Sequence, residues 1–244
     1  KNIIVRRVEL SQEEMNVYEE KRKLIELFFK KHKTRREKEL IQELPPIIYF
    51  EELTKLRMAA CDMRLTIPEW KEQSSKIESL LDILDTLCAY SENKILIFSQ
   101  FVSFLNFVKK ELDKRKWKYL YMDGSTSMKK RKENINAFQQ GETQLFISSI
   151  QTGGVGINLT AANYVILLDP WWNPAIENQA MDRAHRMGQN RCVTVIRLIS
   201  EHTIEEKILR LHETKQNLSD SMLSGTNETY KLTYNDILDM VSSF

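Results

Sequence analysis

Five short apolar runs, alternating with stretches of helical period, constrain the fold of this chain more than any other feature. They cover residues 94–98, 117–122, 144–150, 164–169 and 193–199. Between the first two, Phe101, Phe104, Leu105, Val108 and Leu112 recur at helical spacing, and residues 128–140 read as a helix closed by Gly141. Continuous rather than alternating apolar strands are those a parallel sheet buries on both faces. Helices between them predict an α/β fold with a sheet wound on both faces. In such sheets, ligands sit beyond the carboxyl ends of the strands. Ser99, Gln100, Asp123, Ser125 and the glycines Gly153, Gly154 and Gly156 each follow a predicted strand, so they share that side.

The flanks differ. Ser11-Gln12-Glu13-Glu14 has the pattern of a capping box opening a long helix over residues 12–38, which Pro45-Pro46 breaks. A second helical stretch covers 49–64, and no strand alternation is predicted in this part. After the last strand, Thr203 and Glu206 form another capping-box pattern. Ile204, Ile208, Leu211 and Leu218 mark an apolar stripe on a helix expected over 204–223, and a short amphipathic stretch follows at 234–241. The expected division is a helical segment at 1–73, an α/β lobe at 74–201 and a C-terminal helix and tail at 202–244.

Composition excludes several classes. No apolar run is long enough to span a membrane, and no signal peptide is recognisable. Cys61, Cys88 and Cys192 are odd in number and scattered, which suggests free thiols in a reducing compartment. With His32, His185, His202 and His212 equally dispersed, no metal site is expected in the chain. Thirty-six Lys and Arg against 34 Asp and Glu leave a net charge of +2. The balance alone does not announce nucleic acid, although 30–38, 109–118 and 129–132 are locally basic.

The segment 178–191, N-Q-A-M-D-R-A-H-R-M-G-Q-N-R, carries the chemistry. On a helix, Arg183 and Arg186 share one face, Gln179 lies a turn before Arg183, and Gly188 ends the pattern. Two planar, permanently charged guanidiniums at a helix end suit the charge of a phosphate-transfer transition state. An ordinary solvated helix face is the competing reading of the same spacing.

These blocks together resemble the SWI/SNF family of helicase-like ATPases. K-I-L-I-F-S-Q-F at Lys94 resembles its motif IV, Y-M-D-G-S-T at Tyr121 the next block, and the stretch from Leu145 through D-P-W-W-N-P its motif V. D-R-A-H-R-M-G-Q at Asp182 resembles motif VI. S-K-I-E-S-L at Ser75 and T-I-E-E-K-I at Thr203 resemble the start of the second motor lobe and its exit helix. The resemblance implies a RecA-like lobe with an N-terminal helical protrusion and a C-terminal brace helix. It implies that Arg183 and Arg186 are catalytic arginine fingers, and that Gly154, Gly156 and Gln179 line the nucleotide side of the cleft. Ser99, Gln100, Gly124, Ser125, Thr152 and Trp172 become candidate contacts to the backbone of double-stranded DNA. Gln151 stands where many relatives carry a basic residue, and Trp171 is more typical of the bacterial and DNA-repair branches.

The chain contains no G-x-x-x-x-G-K-[ST] and no acidic pair after a strand to hold magnesium. The resemblance places ATP and Mg2+ mainly in a first RecA-like lobe of the same polypeptide, expected to precede Lys1, and implies that the chain is the second lobe of a duplex-DNA translocase. An ATPase-dead binding module and a strand-separating helicase are the alternatives. The expected location is the bacterial cytoplasm, or the nucleus in a eukaryote.

Overall fold

Residues Ile95–Ser99 are buried along their whole length, as a strand flanked on both sides within a parallel sheet must be. This strand, β2, pairs with β4 (Leu145–Ser149) on one side and β5 (Tyr164–Leu167) on the other, with Ile95 opposite Leu145 and Tyr164. Beyond β4 lies β3 (Tyr119–Met122), and beyond β5 lies β6 (Thr194–Ser200). The computed structural model describes residues 2–39, 46–141, 143–150, 159–184, 192–221 and 234–243. Within these, the sheet is six-stranded and parallel, in the order β1-β6-β5-β2-β4-β3.

The outermost strand, β1 (Asn2–Val8), was not legible in the sequence. Six of its seven residues are exposed, so neither periodicity nor burial marks it. The remaining α/β expectations fall on observed elements. The helices α3 (Ser75–Cys88), α4 (Val102–Lys114) and α5 (Met128–Gln140) connect or flank the strands. Ser74 caps α3 by accepting the Ile77 N–H, and Ser127 caps α5 by accepting from Lys130. Gly141 closes α5 in the left-handed region, φ 92°, as a helix C-terminus favours. Leu96, Phe98, Phe138, Phe146 and Val165 meet in the core, and Phe138 sets its ring edge-on to Phe146 with centroids 5.4 Å apart.

The chain divides into two compact units. One comprises residues 1–8 and 72–199 and contains the sheet. The other comprises 9–71 and 200–244 and is helical. In the helical unit, α1 (Gln12–Glu39), α2 (Pro46–Cys61), α7 (Ile204–Ser221) and α8 (Tyr234–Val241) pack together, with a 3-10 turn at Met63–Leu65. The capping box at α1 is complete. Ser11 N–H donates to Glu14 Oε2 at 2.9 Å, and Glu14 N–H donates to Ser11 Oγ at 3.1 Å. At α7 the pattern is offset. Thr203 Oγ1 accepts from Glu205 N–H, and the Glu206 carboxylate accepts from His202 N–H. The fully buried Tyr18 hydroxyl accepts the Ile204 N–H at 2.7 Å and satisfies a helix-start donor. Pro46 begins α2 rather than merely breaking α1, because proline fits the first helical turn.

Candidate functional site

The described loops after β5, β2 and β3 lie at the carboxyl edge of the sheet, where these strands and β4 are adjacent in the order β5-β2-β4-β3. The loop after β2 carries Ser99 and Gln100. Ser99 is fully buried; its hydroxyl bonds to Asp169 Oδ1 and accepts the Phe101 N–H at 3.0 Å. That side chain is turned into the protein and not toward the surface. Its part is to hold the loop. Gln100 is half-buried, and its backbone N–H approaches both Asp169 oxygens at 3.3 and 3.4 Å.

Asp169, only 2% exposed, is thus the organiser of this loop from the end of β5. One residue earlier, the Leu168 carbonyl accepts from Nζ of the fully buried Lys76 at 3.0 Å, which ties α3 to the same edge. Sequence reasoning gave neither residue a role. The available signals were an acid ending an apolar run and a lysine inside the apolar face of α3.

The loop after β3 is preformed by its own side chains. Asp123 Oδ1 accepts from Ser125 N–H at 2.9 Å and from Ser125 Oγ at 2.6 Å, and Oδ2 accepts the Tyr121 hydroxyl at 2.8 Å. Burial raises the Asp123 pKa, but these donors and Thr126 outweigh it and hold the carboxyl below its ordinary value. Arg131, from α5, donates Nε to the Thr126 carbonyl at 2.8 Å and Nη2 to the Asp123 carbonyl at 3.0 Å. Lys109 lies 3.8 Å from the centre of the Tyr121 ring. Gly124 and Ser125 stand exposed at the tip, with Lys129, Lys130 and Lys132 exposed beside them on α5. In the sequence, Arg131 was indistinguishable from the rest of that basic run.

After β5 the chain passes through Asp169-Pro170-Trp171-Trp172-Asn173. Trp171 packs against the core, Trp172 is half-buried, and Asn173 caps α6 (Pro174–Met181) by accepting the Ala175 N–H at 3.0 Å. Proline at the first position suits this helix start. Gln179 is exposed on α6. The helix ends at Met181, with Asp182 as its C-cap, so Arg183 follows the helix instead of lying on it. Its guanidinium is buried at 4% exposure, 3.4 Å from the Ile150 carbonyl through Nη2 and 5.7 Å from the Phe98 ring. The expectation that Arg183 lies on this helix is therefore corrected. Arg183 turns inward, toward the Ile150 carbonyl and the Phe98 ring. Arg186, Thr152, Gly154 and Gly156 lie outside the described residues.

A parallel sheet with its loops organised at the carboxyl edge by Asp169, Asp123 and Arg183 is the lobe of a RecA-like motor. The family described as the helicase conserved C-terminal domain matches residues 75–188. An uncharacterised ATP-dependent helicase of Schizosaccharomyces pombe is 39% identical over 204 residues, covering 82% of this chain and 19% of the relative. The C-terminal domain of the Sulfolobus solfataricus SWI2/SNF2 ATPase is similar at TM-score 0.71 and 26% identity, covering 99% of this chain and 94% of that one. The core of the same ATPase in complex with double-stranded DNA gives TM-score 0.73 at 27% identity, over 91% of this chain and 46% of that one. The chain belongs to the SWI/SNF group of helicase-like ATPases, as a C-terminal lobe. It spans 12–19% of the length of the curated relatives it matches.

Proposed function

We propose that this lobe is the second half of an ATP-driven motor that moves along double-stranded DNA, working against a first RecA-like lobe of the same polypeptide. The observation that carries the reading is the set of organised loops after β5, β2 and β3 at one edge of the sheet. The loops after β2 and β3 are braced from behind by Asp169, Asp123 and Arg131. Bracing leaves the Gly124–Ser125 tip and the neighbouring lysines of α5 as a surface suited to phosphates. It is supported by the likeness to a SWI2/SNF2 core bound to duplex DNA.

ATP and Mg2+ would be held mainly by the first lobe and supply the phosphoryl group and the neutralisation of its charge. From this chain, Gln179, Gly154, Gly156 and Arg186 would face the phosphates. They offer hydrogen-bond donors, and in Arg186 a positive charge, but no metal ligand, which fits the phosphates and leaves the metal to the first lobe. Arg186 is the arginine finger in this account. Arg183 keeps the loop after β4 in place through the Ile150 carbonyl. Closing the cleft delivers Arg186, and opening it after hydrolysis releases the grip on DNA. The activity test is ATP hydrolysis by the intact protein with duplex DNA, together with triplex displacement and strand separation. The reading predicts DNA-stimulated hydrolysis and triplex displacement without strand separation; turnover independent of DNA, or unwinding of the duplex, contradicts it.

A further inference from the structure

Glu177 is a carboxylate on α6, 1% exposed, with both oxygens engaged. Oε1 accepts the backbone N–H of Trp171 at 2.7 Å, and Oε2 lies 2.9 Å from Nη2 of Arg197 on β6. Three segments thus meet at one side chain: the turn after β5, the helix leading to Arg183 and Arg186, and the strand that follows them. The helix is only eight residues long. A helix that short has little stability of its own, so tertiary contacts set its direction. Ala180 and Met181 anchor one side of it in the core. Glu177 fixes it to the turn and to the sheet.

Stability does not explain the arrangement. Burial raises the Glu177 pKa; the positive charge of Arg197 and the Trp171 N–H lower it only in part, and nearby Asp169 adds to the rise. With its folded pKa above the unfolded value, the ionised group costs folding free energy at neutral pH instead of contributing it. Buried ion pairs of this kind are poor stabilisers but specify geometry where the geometry is used.

We propose that Glu177 is a positioning residue of the motor. Through the Trp171 amide and Arg197 it sets the angle at which α6 leaves the β5 turn, and with it the position of Arg183 just past the end of that helix. Glu177 touches neither nucleotide nor DNA in this role. The inference rests on the proposed motor function and adds a residue that the family resemblance did not point to.

The test uses the intact protein, with Glu177→Gln, Arg197→Gln and the double variant assayed for ATP turnover at saturating duplex DNA. Gln keeps an acceptor for Trp171 and removes the ion pair. The expected result is a fall in kcat of roughly ten- to a hundred-fold with the KM for ATP within about two-fold of wild type. Glu177→Gln leaves Arg197 without its partner, so its melting temperature is expected to fall beside the fall in kcat. The double variant should be no slower than the slower single variant, because both remove one interaction. Arg197→Gln removes the same pair from the strand side, so the test stands even if Glu177→Gln does not fold. A kcat within about two-fold of wild type in both single variants, or a drop in melting temperature with kcat retained, overturns the proposal. Wild-type protein inactive on DNA overturns the motor reading itself, and is distinguishable because the failure is not confined to the variants.

Discussion

Arg183 points its Nη2 at the carbonyl oxygen of Ile150 across 3.4 Å, joining the second residue after α6 to the residue after β4. A buried guanidinium seated against the Phe98 ring is committed to packing as well as to charge. Arg183 therefore takes part in packing, which its spacing from Arg186 does not reveal.

Arg183→Ala should lower stability by about 1–3 kcal/mol. That corresponds to roughly 2–10 °C in melting temperature. Arg186→Ala should leave melting unchanged and reduce turnover on the order of 10³-fold. Thermal melts beside steady-state hydrolysis in the intact protein separate the two. Equal melting temperatures for both variants would contradict the assignment of Arg183 as a brace.

Asp123 gives a pH signature. Its folded pKa lies below the ordinary value, so its contribution to stability is present above the ordinary carboxylate range and is lost as pH falls through the folded pKa. Asp123→Asn should melt below wild type at pH 7, and the gap should close on acidification below about pH 4. A gap that stays constant between pH 7 and 3 would show that the hydrogen bonds to Ser125 and Tyr121 do not depend on the charge.

Gly124 tests the DNA surface without disturbing the fold. A Cβ built there meets nothing within 4 Å, so Gly124→Ala should melt as wild type does. If duplex backbone approaches the tip closely, the added methyl should weaken DNA binding by roughly ten-fold, about 1.4 kcal/mol. Binding by fluorescence anisotropy at fixed salt reads this, and unchanged affinity would move the DNA contact off the tip.

The paired tryptophans should also part. Trp171 packs against the core, and Trp171→Ala should cost on the order of 3 kcal/mol. Trp172 is half-buried, and Trp172→Ala should spare hydrolysis while impairing triplex displacement. Normal displacement by a stably folded Trp172→Ala protein would remove it from the grip on DNA.

What the sequence made legible was whatever repeats or is chemically distinctive. Buried strands such as Ile95–Ser99 show as unbroken apolar runs, and the ends of α5 follow from Ser127 and Gly141. The exposed edge strand Asn2–Val8 has no such pattern, because pairing rather than burial makes it a strand. At the site, Gly124 and Ser125 are exposed in the loop after β3, as their place after a predicted strand suggested. Ser99 and Arg183 are buried instead. Spacing reveals a shared face only if the helix persists, and α6 stops at Met181. Asp169, Arg131 and Glu177 act through contacts between residues distant in sequence, which no local pattern encodes.

The most direct measurement is ATP hydrolysis by this chain alone, checked as folded by circular dichroism, with and without duplex DNA. If the lobe supplies positive charge and DNA contacts to a nucleotide held elsewhere, the isolated chain turns over no ATP under either condition, while the intact protein hydrolyses ATP when DNA is added. DNA-stimulated hydrolysis by the isolated chain would contradict the division of labour between two lobes.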